Sequence, residues 1–458
     1  MSKVNTPKGT RDFNPLVFVQ RKYIFDTIAK AFQLSGFLPI ETPSMENLSV
    51  LNGKYGEEGD RLIFKILNSG EYLKKVDSKA LIEKDLKQVT SKISEKGLRY
   101  DLTVPFARYV VQHLNTITLP FKRYQIQPVW RAERPQKGRY REFFQCDGDI
   151  IGTTSLLNEM ELLKIFDSVY SSLGLTDIII KLNNRKILTG LSEIIGEQSR
   201  LTDMTVVIDK LDKIGIEKVQ DELKSKGFDD EGLSTIKAFL EIKGDNKAKL
   251  AQLSQLLENS PIGLKGIEEL STLLNFTATV KVQRLEIDPT LARGLNYYTG
   301  AIFEAKPLDD SIGSIGAGGR YDNLTEVFGL KDMSGVGLSF GADRIYDLME
   351  MRNLFPKHLS RTCDVLVINF DDQLLTGALD IVEKVKANGH SCMLYPEPAK
   401  MKKQMKYANS LEIPLVILYG EDEAAHSKFV LKNMQQGTQE TFLIKELKSA
   451  LKKTIINI

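Results

Sequence analysis

Between Val129 and Asp149 the chain reads VWRAERPQKGRYREFFQCDGD, where the cations Arg131, Arg134, Lys137, Arg139 and Arg141 sit among carboxylates and apolar anchors. A solvated hairpin with self-neutralising charges is the plainest account of such a run. Periodicity argues for more. If residues 139–150 are extended, side chains alternate between two faces. Arg139, Arg141, Phe143, Gln145, Asp147 and Asp149 then share one face, and Tyr140, Glu142, Phe144, Cys146, Gly148 and Ile150 form a mostly core-like other. A face running from cations through an aromatic ring to acids suits a bipolar ligand.

Other stretches could also do chemistry. In GLRYDLTVPFARY, residues 97–109, Asp101 and Thr103 would share a face of a strand, although DLT reads better as a helix N-cap. LARGLNYYTGAIFE places Arg293 just before a glycine and two tyrosines that enter a predicted strand. The glycines of GAGGRYDNL, residues 316–324, could cradle a phosphate, but no GK[ST] follows and the dinucleotide context is missing. Tight backbone packing explains them at least as well. GVGLSFGADRI, residues 335–345, starts a helix and carries Arg344.

These residues need elements to hold them. RYQIQPVWR, residues 123–131, reads as a strand, and RPQKG supplies the turn of an antiparallel hairpin with residues 139–150. Apolar spacing at Phe18, Tyr23, Ile24, Ile28, Phe32 and Leu34 predicts a helix that stops at Gly36. The Lys-, Glu- and Ser-rich stretch at about 68–96 reads as a helical surface insertion. DIIIKLNN (177–184) and TATVKVQRLEID (277–288) read as strands on either side of a long helical segment. After the linker MRNLFPKHLSRT, the apolar runs CDVLVINF, HSCMLYP and PLVILYG alternate with amphipathic helices, as in a small α/β domain.

At 458 residues the chain should hold about three domains. With 62 Lys and Arg against 60 Asp and Glu, any nucleic-acid binding must rest on local patches rather than a global positive field. Cys146, Cys363 and Cys392 are too far apart for a disulfide framework or a CxxC pattern, and the four histidines show no ligand spacing. No membrane-spanning run or signal peptide is visible, so the expected compartment is reducing and cytoplasmic.

Taken in order, these motifs resemble the class II aminoacyl-tRNA synthetases and, within them, the histidyl-tRNA synthetase family. Gly36-Phe37 through Pro43 resembles motif 1; Arg131-Ala-Glu133, the loop and Arg139-x-x-x-Phe143 resemble motif 2; Gly335 through Arg344 resembles motif 3. ARGLNYYTG and AGGRYDNL are similar to the family's two histidine-specific peptides, and the C-terminal domain is similar to its anticodon-binding domain. The resemblance implies an α+β fold: an antiparallel sheet flanked by helices, with a helical insertion and a C-terminal α/β domain. Its boundaries would be a catalytic part at 1–190, a helical insertion at 191–276, a second catalytic part at 277–350, a linker at 351–362 and an anticodon-binding domain at 363–458. Asn296 and Asn323 depart from residues common in relatives, Asp and Gly.

The resemblance further implies activation of L-histidine by ATP, with Mg2+ on the phosphates, then transfer of the histidyl group to tRNA(His) by a homodimer joined through motif 1. Arg131, Glu133, Arg139, Phe143 and Arg344 would bind ATP, with Arg131 and Arg293 catalytic at the α-phosphate and no metal held by protein side chains. Asp101, Thr103 and Gln145 would take the α-ammonium, Asp149 and Tyr298 the imidazole nitrogens, and Tyr321 would line the pocket. Arg134, Gln136 and Lys137 would touch the tRNA acceptor end or form a solvated loop. Lys402, Lys403 and Lys406 would meet the anticodon stem or form a plain charged helix face. Three rival readings are a regulatory subunit of a histidine-biosynthesis enzyme, a non-catalytic tRNA sensor, and a class II enzyme of different specificity, the last opposed by the two tyrosine-bearing peptides. Arg293 and the C-terminal domain oppose the first; Arg131, Arg139 and Arg344 oppose the second.

Overall fold

The computed structural model describes residues 4–53, 56–136, 138–292, 297–309 and 311–455, so Lys137, Arg293 and Asn296 lie outside the described residues. The chain divides into two units, Met1–Leu354 and Phe355–Ile458.

The first unit is built on eight strands: β1 (Leu38–Pro39), β2 (Phe121–Trp130), β3 (Glu142–Ile151), β4 (Ile178–Asn184), β5 (Leu285–Ile287), β6 (Ala301–Pro307), β7 (Gly316–Tyr321) and β8 (Gly335–Gly341). Their order across the sheet is β1-β2-β3-β8-β7-β6-β4-β5. The six inner strands pair antiparallel, and only the short edge strands β1 and β5 pair parallel. This is the antiparallel sheet flanked by helices that the sequence implied.

One face of the sheet is covered by the helices Pro15–Leu34 and Leu157–Ser172. In the first, Asn14 caps the N-terminus by accepting from the Val17 N–H at 2.9 Å, and Pro15 supplies a first position that needs no donor. Its buried residues Arg21, Ile24, Ile28 and Phe32 recur at helical spacing, and Phe32 stacks on Tyr124 of β2, with ring centroids 5.5 Å apart. Phe166 of the second helix meets Phe303 and Phe340 edge-on. Along β3 the expected alternation holds: Cys146, Gly148 and Ile150 are buried, and Gly148 leaves room for the Phe32 ring.

Two expectations need correction. TATVKVQRLEID is not one strand, because Thr277–Thr279 close the long helix Pro261–Thr279 and only Leu285–Ile287 is extended. Thr277 lies on that helix's buried face, in step with Leu270 and Leu273, and its hydroxyl donates to the Leu273 carbonyl. Helix packing overrides the β preference of threonine and valine there. The alternation also fails before Glu142. Gln136 and Arg139 close a tight bridge, and the Arg141 Nε turns back to the Glu133 carbonyl at 3.0 Å.

The Lys-rich stretch carries the short helices Ser78–Ile82 and Leu86–Ile93, largely exposed, and leaves a small three-stranded sheet through Lys65–Ile66 and Lys96–Leu98. In the C-terminal unit, Val365–Val367, Cys392–Leu394 and Leu415–Leu418 form a parallel core extended antiparallel by Lys428–Asn433 and Gln439–Leu443. One apolar cluster includes Val365, Ile381, Ile417 and Leu451; another includes Leu366, Ala408, Ile413 and Val416.

A Cβ at position 148 would sit 2.1 Å from Phe32 Cε1. Gly148→Ala should therefore destabilise the first unit by about 1–3 kcal/mol. A lowered urea midpoint checks this; an unchanged midpoint would show that Phe32 yields without cost.

Candidate functional site

The face of the sheet opposite the two helices carries a cleft of about 340 Å³ lined by Arg131, Glu133, Arg139, Phe143, Gln145 and Arg344, among others. The five residues expected at a nucleotide therefore converge. Arg131 follows the end of β2; its backbone N–H donates to the Arg141 carbonyl at 2.9 Å, and its Nε donates to the Tyr100 carbonyl at 3.2 Å. Its guanidinium lies 4.3 Å from the Tyr100 ring centroid and 5.0 Å from that of Phe143. Arg344, in the first turn of the helix Ala342–Met351, donates to the Gly138 carbonyl at 3.3 Å and the Ser314 carbonyl at 2.6 Å. Arg139 lies 3.7 Å from Glu133 and is half exposed, so this ion pair adds little stability.

The N-terminal segment braces this cleft from outside. The Gly9 carbonyl accepts from the Arg141 N–H at 2.8 Å, and Arg11 lies over the Tyr140 ring. Asp343, next to Arg344, takes both Arg11 and the buried Arg21. An aromatic face beside three guanidiniums can hold a planar base and an attached polyanion.

Arg131, Gln145, Ala317 and Ser339 also line a second chamber of about 270 Å³, with Asp101, Thr103, Tyr297 and Tyr298. Beneath it lies a pocket of about 30 Å³ bounded by Asp147, Asp149, Tyr298 and Tyr321 among others. Here the charge is acidic. Asp149 is nearly fully buried; its Oδ1 accepts from the Tyr321 hydroxyl at 2.6 Å and its Oδ2 lies 2.6 Å from Arg123 Nη2. Burial raises the Asp149 pKa against the pull of Arg123 and Tyr321. Burial also pushes Asp147 up to about 7, with Asp149 and Asp101 adding to the rise and Arg123 and the Ser339 hydroxyl opposing it. Tyr298 and Tyr321 are likewise raised by burial and the Asp149 charge, so both stay neutral donors.

Glycines make this acidic end fit. A Cβ on Gly337 would fall 2.0 Å from Asp149 Oδ1, and one on Gly318 would fall 2.3 Å from the Gly337 carbonyl. The glycine-rich peptides thus serve close strand and side-chain packing.

Asp101 and Thr103 both reach the chamber, but not as neighbours on a strand. Thr103 opens the helix Thr103–His113, and Asp101 Oδ1 accepts from the Val104 N–H at 3.2 Å in its first turn. Arg134 and Gln136 are exposed, and neither lines the cleft. Lys402, Lys403 and Lys406 are exposed on the helix Met401–Ser410, whose inner face buries Gln404 and Ala408 in the second unit. Sequence reasoning missed Arg123, Ser339 and Tyr297 as site residues. A cation inside the otherwise strand-like RYQIQ was the available signal for Arg123. Among the described residues, no group of three or more His, Cys, Asp or Glu could hold a metal ion.

A family model described as histidyl-tRNA synthetase matches residues 71–345, and one described as an anticodon-binding domain matches residues 364–454. The chain is 56% identical to the histidine–tRNA ligase of Porphyromonas gingivalis over 96% of this chain and 97% of that protein. It is 53% identical to that of Bacteroides fragilis over 99% and 100% of the two. It is also similar to the crystal structure of histidyl-tRNA synthetase from Nostoc sp. PCC 7120, with a TM-score of 0.84 and 32% identity over 98% of this chain and 100% of that one.

The raised Asp147 pKa fixes the sign of a pH effect. The folded protein keeps this proton up to about 7, whereas the unfolded chain loses it near 4. Stability from this group is therefore full below about 4 and is lost as pH rises to about 7. Asp147→Asn removes that loss, so its stability relative to the parent should improve by a few kcal/mol at most between pH 4 and pH 8. Urea midpoints at several pH values test this, and a difference that does not change with pH contradicts it.

Proposed function

This chain belongs to the histidyl-tRNA synthetase family, and from that premise we propose how its side chains divide the work between two joined chambers. The overall reaction is histidine–tRNA ligation: L-histidine and ATP give histidyl-adenylate and pyrophosphate, and the histidyl group then passes to the 3′ end of tRNA(His).

The outer cleft takes ATP, entering as its Mg2+ complex. Phe143 stacks on adenine, Glu133 meets its amino edge, and Arg139 and Arg344 hold the outer phosphates. The second chamber takes the amino acid, with Asp101, Thr103 and Gln145 around the α-ammonium and the ring end directed toward Asp149, Tyr298 and Tyr321. The observation that carries this reading is that Arg131 lines both chambers. A histidine carboxylate oxygen would there attack the α-phosphorus, forming the mixed anhydride as the bond to the leaving pyrophosphate breaks. Arg131 opposes the charge that gathers on the α-phosphate oxygens in that step. By the family resemblance Arg293, which lies outside the described residues, would add a second cation at the α-phosphate, worth roughly 3 kcal/mol by analogy with an oxyanion donor. The tRNA 3′-terminal hydroxyl then attacks the acyl carbon, and AMP leaves.

Exposed apolar residues support a homodimer through the motif 1 region, since Phe18, Leu34, Leu38 and Met45 present their side chains to solvent in one chain. The exposed lysines of Met401–Ser410 suit an anticodon stem, and Arg134, Gln136 and Lys137 suit the acceptor end. No helix of the described residues is long and apolar enough to cross a membrane. We place the enzyme in the cytoplasm with its tRNA.

Pyrophosphate exchange screened against the twenty amino acids should respond to histidine, with discrimination on the order of 10⁴ because the buried polar groups go unpaired with other side chains. Comparable exchange with a second amino acid would refute the pocket assignment. Reversing Lys402, Lys403 and Lys406 together to Glu should cut charging at limiting tRNA about tenfold or more while exchange is kept. Equal loss of both activities would contradict the division of labour.

A further inference from the structure

We infer that Arg11, on the N-terminal segment, is a positioning residue of the ATP step, fixing the two cations, Arg139 and Arg344, that meet the outer phosphates. The inference rests on the ATP-cleft reading above and names what holds the phosphate end of that cleft. Arg11 does not itself line the cleft, so it acts through its neighbours.

Arg139 needs outside support. Its side chain is half exposed, and its pairing with Glu133 at 3.7 Å is too loose to hold a long side chain in one place. Its backbone is fixed by the bridge to Gln136 and by the two residues that follow it, Tyr140 and Arg141. Residues 8–11 hold both of those. The Arg11 guanidinium lies over the Tyr140 ring, 3.3 Å from its centroid, and Tyr140 also lines the cleft. The Arg141 N–H donates to the Gly9 carbonyl at 2.8 Å, and Arg141 Nη1 donates to the Lys8 carbonyl at 3.5 Å. At Gly9, φ is +88° and a Cβ would fall 2.8 Å from the side chains of Arg141 and Pro135, so this close approach needs a glycine.

The same Arg11 side chain also steadies Arg344. Arg11 Nη2 donates to Asp343 Oδ1, which the buried Arg21 also reaches, and the Phe144 N–H donates to Asp343 Oδ2 at 3.3 Å. Asp343 thereby ties the first turn of the helix Ala342–Met351 to the N-terminal segment and to β3, and Arg344 is the next residue. One guanidinium therefore joins the chain limb leaving Arg139 to the helix turn carrying Arg344. The adenine end is held differently, since Phe143 lies within β3 and is paired with Val129 of β2. Loss of Arg11 should accordingly be felt at the outer phosphates, not at the base or the amino acid.

The test uses the full-length protein with Arg11→Met, which loses the planar cation, and Arg11→Lys, which keeps a charge beside Asp343 but not the flat stack on Tyr140. Pyrophosphate exchange is titrated with ATP and with histidine, AMP serves as a competing ligand that lacks the outer phosphates, and urea midpoints check the fold. Arg11→Met should raise the ATP KM about tenfold, while the histidine KM and the AMP inhibition constant stay within about twofold. Arg11→Lys should show a smaller rise of the same kind, and it serves if the methionine variant fails to fold. An ATP KM within about twofold of the parent in every folded variant would overturn the inference. So would equal rises in the ATP and histidine KM, or an AMP constant that moves as far as the ATP KM. A parent protein with no histidine-dependent exchange would instead overturn the cleft reading itself.

Discussion

A strand with one face in the core and one in the site must satisfy both with alternate residues, and β3 is that strand. Cys146, Gly148 and Ile150 face the helical layer, whereas Phe143, Gln145, Asp147 and Asp149 line the cleft and its inner pockets. A slip of one residue would exchange the two sets. Register is pinned from both sides, because β2 sets Arg123 opposite Asp149 and β8 sets Gly337 opposite the same residue. The first pairing brings in the countercharge and the second provides the space it needs.

From that constraint follows a gradient of charge. Guanidiniums stand at the wide, half-exposed end and carboxylates at the narrow, dry end, with Arg131 between them. Three buried aspartates near one another would be very costly in water-free surroundings. Arg123 offsets part of that cost for Asp149, and the Val104 N–H helps hold Asp101. Asp147 is left as the acid whose proton is held to near-neutral pH. The site thus carries polarity before any substrate enters, and an amino acid joined to a nucleotide runs parallel to it.

How much of this was legible depends on the range of the information. The alternation along β3 and the helix ending before Gly36 need only local spacing, and both were readable from the chain. Joining Asp101, Thr103, Arg131 and Arg344 into one site needed the family resemblance, since no local pattern brings residues so far apart together. The Arg123–Asp149 pair was missed because it exists only through strand register. TATVKVQRLEID misled because its β-branched residues follow a helix whose packing, outside that window, decides the conformation of Thr277. The glycines of β7 and β8 had two fair readings until the neighbouring strands showed what their missing side chains make room for.

Gly337 gives the innermost pocket, and Gly318 the chamber above it, a wall made partly of main chain. Gly318 and Gly337 have no space even for a methyl group, so that wall follows the course of the sheet and cannot be reshaped one side chain at a time. A lineage or an engineer seeking a different amino acid would have to work on the lining side chains, at Tyr297, Tyr298 and Tyr321. The volume of the pocket is inherited with the fold; the accessible variable is the chemistry of its lining.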